Sequence, residues 1–297
     1  MENVLKKNIK YLMLFLLLTL NIIACGKDEA KKKEWLNITF IDVKNGDSAF
    51  IQTSDHKNIL VDIGVGKREE FNFDAGLIRV LPFLRREKVS KLDLVVITHF
   101  DYDHYGGIFS LLEGIKVEKL IYNPPNKDVF GYKKLMSLIK EKNIKTKSMF
   151  RGEILNFQHL KISTLHPPKG IKYSKENDYS LVYLLECGKV RFLLTGDVEE
   201  EAIEELVKFY PLLKVDLLKM PHHGEKVRNT INFLEIVKPK MVIISTGTNN
   251  FNHPHQDLID YFQEKKILVY RTDFYGDIKA ITDGEKIKVK TKQVVLW

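Results

Sequence analysis

The chain is nearly without cysteine, poor in proline and without an acidic excess, and each shortage closes off a class of protein. Cysteine occurs twice in 297 residues, at Cys25 and Cys187, so no disulfide framework staples the fold. With 17 glycines and 9 prolines, the composition excludes collagen-like and Pro/Gly-rich disordered classes. Beyond the N-terminal stretch there is no apolar run long enough to span a bilayer. Lys and Arg number 47 against 39 Asp and Glu, a net charge of +8. That balance suits a polyanionic substrate or an anionic membrane surface, although many lysines on any soluble chain are only a solvated face. What remains is an ordinary globular composition, 44% hydrophobic, long enough for one large domain.

The N-terminal stretch stands apart. Lys6, Lys7 and Lys10 precede the apolar run 11–20, and Ile22-Ile23-Ala24-Cys25-Gly26 closes it, the layout of a secretory signal peptide. Ala24 before Cys25 resembles the lipobox of bacterial lipoproteins, with Ile22 in place of the commoner Leu. That resemblance implies a lipid-modified Cys25 as mature N-terminus and an exported, membrane-anchored protein. The alternatives are an uncleaved signal anchor and a free extracellular form. Residues 1–24 are then a signal peptide, 25–34 a charged tether and 35–297 the folded domain. The first 24 residues hold three Lys and one Glu, so removing their +2 from +8 leaves +6. Cys187 sits in an apolar strand pattern and reads as an inert core thiol.

The chemistry concentrates in Thr98-His99-Phe100-Asp101-Tyr102-Asp103-His104-Tyr105-Gly106-Gly107. It follows Leu94-Val95-Val96-Ile97, a short β-branched run that predicts a buried strand. Two imidazoles and two carboxylates at one strand end form a dense set of metal-ligand types. A single histidine there would more often be a satisfied polar group. Gly106-Gly107 predicts a sharp turn beneath the site and the start of a helix.

This cluster resembles the H-x-H-x-D-H signature of the metallo-β-lactamase superfamily, with Asp101 where many members carry the second His. The Asp variant followed by Gly-Gly resembles the metallo-β-lactamase-like domain of the competence protein ComEC. Further motifs arrive in that family's order between about Ile38 and Ile281. A strand, 35–43, and a second, 49–53, flank a turn at Asn45-Gly46-Asp47-Ser48. Asp47 is there to support or reach the site, or to stabilise the turn. The strand 58–64 ends in Asp62-Ile63-Gly64, and superfamily members use such an Asp to orient ligand imidazoles from behind. Where many members place a third His, Asn177 and Ser180 resemble the ComEC-like replacement, and His166 is the nearest histidine at a strand end. Thr195-Gly196-Asp197 supplies the Asp that bridges two metals in the family; alone, it would read as a helix N-cap. Leu218-Lys219-Met220-Pro221-His222-His223-Gly224 matches the family pattern, with Glu225 in place of its Ser. One of the paired imidazoles completes the metal shell or acts as general acid, and the sequence leaves open which. Asn249 and His253-Pro254 resemble a later family motif that makes His253 a candidate proton donor or phosphate contact.

A strand–helix–strand order implies an α/β architecture, with helices at 77–88, 107–113, 132–142 and 199–209. The resemblance implies a four-layer αββα sandwich with loops at one edge holding the metals. His99, Asp101, Asp103, His104, Asp197 and His223 form the expected metal set, and Asp103, His222 and His253 the expected catalytic set. Asp62, Asp47, Asn177 and Ser180 stand behind them. The cofactor is one or two divalent ions, Zn²⁺ or Mn²⁺ with Mg²⁺ as a further option. The expected activity is phosphodiester hydrolysis of DNA. Competing readings are hydrolysis of a small ester, lactam or cell-envelope phosphoester, and a non-catalytic binding lipoprotein. Membrane contact comes through Cys25, and nothing in the sequence points to a protein partner.

Overall fold

The computed structural model describes residues 34–68, 72–248 and 252–292. The expected signal peptide, Cys25, the tether up to residue 33 and Asn249 lie outside the described residues.

In chain order the first half contains β1 (Leu36–Phe40), β2 (Ala49–Thr53), β3 (Asn58–Val61), a π-helical turn (Gly76–Val80) continuing into α1 (Leu81–Arg86), β4 (Lys91–Leu92) and β5 (Leu94–Val96). It continues through α2 (Tyr102–Tyr105), α3 (Ile108–Gly114), β6 (Lys116–Val117), β7 (Lys119–Ile121), α4 (Tyr132–Glu141) and β8 (Lys145–Lys147). The second half begins with β9 (Ile154–Phe157), β10 (Leu160–His166), a 3₁₀ turn (Asn177–Tyr179), β11 (Val182–Cys187), β12 (Val190–Leu194), α5 (Glu200–Phe209) and β13 (Leu217–Lys219). A second 3₁₀ turn (Pro221–Gly224), α6 (Thr230–Val237), β14 (Met241–Ile244), α7 (Gln256–Glu264), β15 (Leu268–Arg271), α8 (Thr272–Tyr275), β16 (Ile278–Thr282) and β17 (Ile287–Thr291) complete it.

The strands form an eight-stranded sheet, β17-β16-β1-β2-β3-β5-β7-β8, a seven-stranded sheet, β15-β14-β13-β12-β11-β10-β9, and a small β4-β6 pair. Alternation along each strand builds three cores, because successive side chains point to opposite faces. Ala49, Ile51, Ile59, Val61, Leu94 and Val96 face Phe192, Leu194, Leu217 and Ile243 between the two sheets. Their neighbours Phe50, Leu60 and Val95 turn the other way, onto α1, α3 and α4. Leu193, Leu218, Val242 and Ile244 likewise pack against α5, α6 and α7. The result is the four-layer αββα sandwich. Strands buried on both faces explain why these runs read as continuously apolar.

In each sheet a parallel half meets an antiparallel half. β3, β5, β7 and β8 run parallel, as do β12, β13, β14 and β15. The segments after β3, β5, β12 and β13 therefore leave carboxyl ends of parallel strands, where ligand sites gather in α/β sheets.

Two local expectations need correction. The helix predicted over 77–88 opens with a π-helical turn, leaving Leu77 and Ile78 about half exposed. Pro82, which has no N–H to donate, sits where the π-helical turn passes into α1, just after Leu81 N donates to Gly76 O. The first strand ends at Phe40 rather than Val43, because Asp42 N donates to Asp277 Oδ1 at 3.0 Å instead of to the ladder. Residues 41–48 thus form a long connection that carries Asp47 inward. Gly106 and Gly107 form the expected turn ahead of α3, both with right-handed φ. They are required by close approach: a Cβ on Gly106 would lie 2.4 Å from Gly66 N, and one on Gly107 2.5 Å from Ile63 O.

Candidate metal centre

Asp62 follows β3 in a left-handed conformation, φ 58°, which is uncommon for a non-glycine residue. Its hydrogen bonds account for the posture. Oδ1 accepts from Thr98 N at 2.8 Å, Oδ2 accepts from Thr98 Oγ1 at 2.7 Å, and Oδ2 lies 2.9 Å from His104 Nδ1. These contacts tie the loop after β5 to the end of β3.

The tautomers follow from the partners. An ionised carboxylate only accepts, so His104 Nδ1 carries the proton and Nε2 presents a lone pair. His223 Nδ1 lies 2.9 Å from the Ser245 carbonyl oxygen, which forces the same assignment. The Thr98 hydroxyl proton is spent on Asp62, so its lone pair faces His99 Nδ1 at 3.1 Å. All three histidines therefore offer Nε2.

Those nitrogens converge on carboxylates. His104 Nε2 and His223 Nε2 lie 3.0 and 3.2 Å from Asp197 Oδ2, and His223 Nε2 lies 3.2 Å from Asp103 Oδ2. One ligand atom from each of Asp103, His104, Asp197 and His223 falls within 4.8 Å of all the others. Lone pairs facing carboxylates at such distances require a cation or protons between them. Without a metal, protons must serve: burial pushes His223 down, but Asp197 and Asp103 carry it up to about 10. His99 differs, since burial and the adjacent His104 hold it well below its ordinary value. Its Nε2 is buried with no hydrogen-bond partner, and its ring centroid lies 4.2 Å from that of His104. Asp197 Oδ1 is also buried with no hydrogen-bond partner among the described residues, facing the Lys219 ammonium at 3.5 Å. An orphaned imidazole nitrogen beside a carboxylate–imidazole quartet fits a divalent ion.

Asp101 lies at the N-cap of α2, beside the quartet and outside it, without a side-chain capping bond. Ser180 Oγ accepts from Asp197 N at 3.1 Å and so fixes the bend that presents Asp197. The capping of α5 falls elsewhere: Asp178 Oδ1 accepts from Glu199 N and Ala202 N at 2.8 and 3.2 Å. Asn177 is no part of the quartet and donates to Glu199 Oε1 at 2.7 Å. His166 is buried on β10, 2.7 Å from the Asp178 carbonyl oxygen, and is no part of the quartet.

Sequence reasoning missed Lys219. Its buried ammonium pairs with Asp47 and lies 3.5 Å from Asp197 Oδ1. Burial pulls its pKa down, but Asp47 and Asp197 more than offset that and leave it raised. A lysine closing the fully buried strand Leu217–Lys219 was the available signal. Asp47 thus anchors Lys219. Gly46 lets the 41–48 connection approach, since a Cβ there would meet Asp103 O at 2.0 Å.

His222 and His223 are both left-handed, φ 43° and 54°, and this conformation splits their rings. His223 joins the quartet. His222 Nδ1 lies 2.5 Å from Glu225 Oε2 and 3.5 Å from Glu199 Oε1, with the His253 ring 5.6 Å away. A cleft of about 750 Å³ opens over the quartet, lined by Arg68, Tyr102, Asp103, His222, His223 and His253 among others.

The sequence profile of the Metallo-beta-lactamase superfamily matches residues 41–247. The chain belongs to the metallo-β-lactamase superfamily. Over 252 residues it is 32% identical to ComE operon protein 3 of Bacillus subtilis, a match covering 82% of this chain and 32% of the relative. It is 27% identical to Recombination protein 2 of Haemophilus influenzae over 263 residues, 88% of this chain and 31% of that protein. The chain thus spans about a third of the length of these relatives. Among solved structures, the metallo-β-lactamase fold protein YhfI of Bacillus subtilis aligns with a TM-score of 0.55 at 13% identity, covering 83% of this chain and 99% of that one. That likeness concerns the fold alone. The superfamily placement and the quartet together make this a metallo-β-lactamase-like metallohydrolase.

Proposed function

We propose that the chain is an exported metal-dependent phosphodiesterase acting on DNA, tethered to the membrane through a lipid on Cys25. One arrangement carries the reading: Nε2 of His104 and of His223 converge on a single oxygen of Asp197 while the other nitrogen of each ring is committed elsewhere. Asp103, His104, Asp197 and His223 would hold a divalent ion, with His99 and Asp101 placed to serve a second. Such ions supply a water of lowered pKa and a Lewis acid for a phosphoryl oxygen.

The chain's own residues supply the rest. Asp62 orients His104 and, through Thr98, His99. Lys219 offsets part of the charge of Asp47 and Asp197 from beneath. His222, whose Nδ1 lies 2.5 Å from Glu225 Oε2, would as imidazolium pass its Nε2 proton to the leaving oxygen, and His253 stands beside it. The relative named for recombination supports DNA as the substrate, as does the basic balance.

The test sets metal-dependent cleavage of DNA beside hydrolysis of a chromogenic cephalosporin. Cleavage of DNA with the lactam untouched supports the proposal; lactam turnover with intact DNA replaces it. Membrane attachment is separate: Cys25→Ser should move the protein from the membrane to the soluble fraction, and retention would sink the lipid anchor.

A further inference from the structure

Arg68 and Tyr102 line one side of the cleft, and Phe130 adjoins them just outside that lining, a surface the chemistry above does not use. Arg68 lays its guanidinium over the Tyr102 ring, Cζ 3.7 Å from the centroid, and 4.8 Å from the centroid of Phe130. Tyr102 and Phe130 meet edge to face at 5.7 Å and 80°. Phe130 is 62% exposed, so part of its ring stays open to a partner. The wall is rigidly founded. Tyr102 Oη donates to Lys67 O at 2.9 Å, and Gly66 packs so closely on α2 that a Cβ would lie 2.1 Å from Gly106 O. Tyr102 immediately precedes Asp103 of the quartet, so the wall begins one residue from the metal centre. Arg68 Nε is buried with no hydrogen-bond partner among the described residues.

A guanidinium over one ring, with a side-chain hydrogen bond to Tyr102, still has further in-plane N–H groups for an anion, and an exposed ring beside it offers a face to a flat partner. Phosphate and nucleobase, one nucleotide long, match that pair of features. Resting on the DNA reading, we propose that Arg68, Tyr102 and Phe130 form a nucleobase-stacking subsite that holds the nucleotide beside the scissile phosphate. Bases inside a duplex are already stacked and cannot reach Phe130, whereas those of a single strand or a frayed end can. The subsite therefore selects single-stranded segments with little regard for sequence, because every base has a flat face.

The test measures binding rather than turnover. Full-length, metal-loaded protein is titrated into dye-labelled oligothymidine with phosphorothioate linkages that block cleavage. An abasic backbone of equal length and charge serves as comparison. The wild type should bind oligothymidine about 5- to 150-fold more tightly, the range expected for stacking of one base. Phe130→Ala should bring the two ligands to within about twofold. Arg68→Lys, which keeps the charge and loses the plane, should retain affinity for the abasic strand and lose most of the preference. Circular dichroism and metal content check that the variants fold; Phe130 contributes little to any core. Equal binding of both ligands by the wild type, or full preference in Phe130→Ala, overturns the subsite. If DNA is cut without base preference, only the subsite fails; if no nucleic acid is bound or cut, the DNA reading fails with it.

Discussion

Oδ2 of Asp62 lies 2.9 Å from Nδ1 of His104, and the opposite nitrogen of the same ring lies 3.0 Å from Oδ2 of Asp197. One buried carboxylate thus decides what the imidazole offers to the site. Asp62→Asn keeps the shape and the tolerance for a left-handed backbone but weakens this hold on the proton. Metal affinity should fall about 10- to 100-fold, measured by titration with Mn²⁺ or Zn²⁺. A merely structural role would instead lower the Tm of metal-free protein and leave the affinity unchanged.

Lys219 and Asp47 form a buried pair between the sheets and the quartet. Removing one partner strands the other charge, so Lys219→Met should cost about 3–5 kcal/mol. Adding Asp47→Leu should recover much of that loss, because the stranded charge goes with it. Denaturant unfolding of both single variants and the double variant reads the coupling. Simple additivity would contradict the pairing.

Metal that binds only the folded chain stabilises it by mass action. At free metal about a hundredfold above Kd the gain is about 2.7 kcal/mol. Chelation should lower Tm by several degrees, and in His223→Ala the difference should shrink toward zero. An equal chelator effect in that variant would place the stabilising ion elsewhere.

His166 gives a pH dependence independent of the quartet. Burial holds it down to about 4, against an ordinary value of 6.5; the Asp178 carbonyl only partly opposes this. Between these values the unfolded chain binds a proton that the folded chain refuses. Its contribution is therefore fully present above pH 6.5 and lost as pH falls toward 4, on the order of 3 kcal/mol in all. Unfolding free energies across that range should show the slope, and His166→Gln should flatten it. An unchanged slope in the variant would mean that His166 titrates normally.

Much of the architecture can be read along the chain because it is local. A short apolar run ending in polar residues marks β5, β12 and β13, and the αββα layers follow from alternation that neighbouring residues display. The quartet draws on two such strand-end motifs plus Asp197, and the order of motifs puts them at one edge. What pairs across the fold was not legible. Asp47 and Lys219 are distant in sequence, and nothing near either one names the other. His222 and His223 are adjacent and chemically identical; only two successive left-handed residues decide that one faces Asp197 and the other Glu225. Gly106 and Gly107 carried a local signal for the turn that separates α2 from α3, but not for their packing against residues 63 and 66.

The most direct measurement is the metal content of the purified chain, stripped with chelator and then dialysed against Mn²⁺ or Zn²⁺, beside Asp197→Ala. The account predicts one or two ions per wild-type chain, with none tightly held in the variant because both imidazoles lose the oxygen on which they converge. A folded wild-type chain that retains no ion of either kind would contradict it.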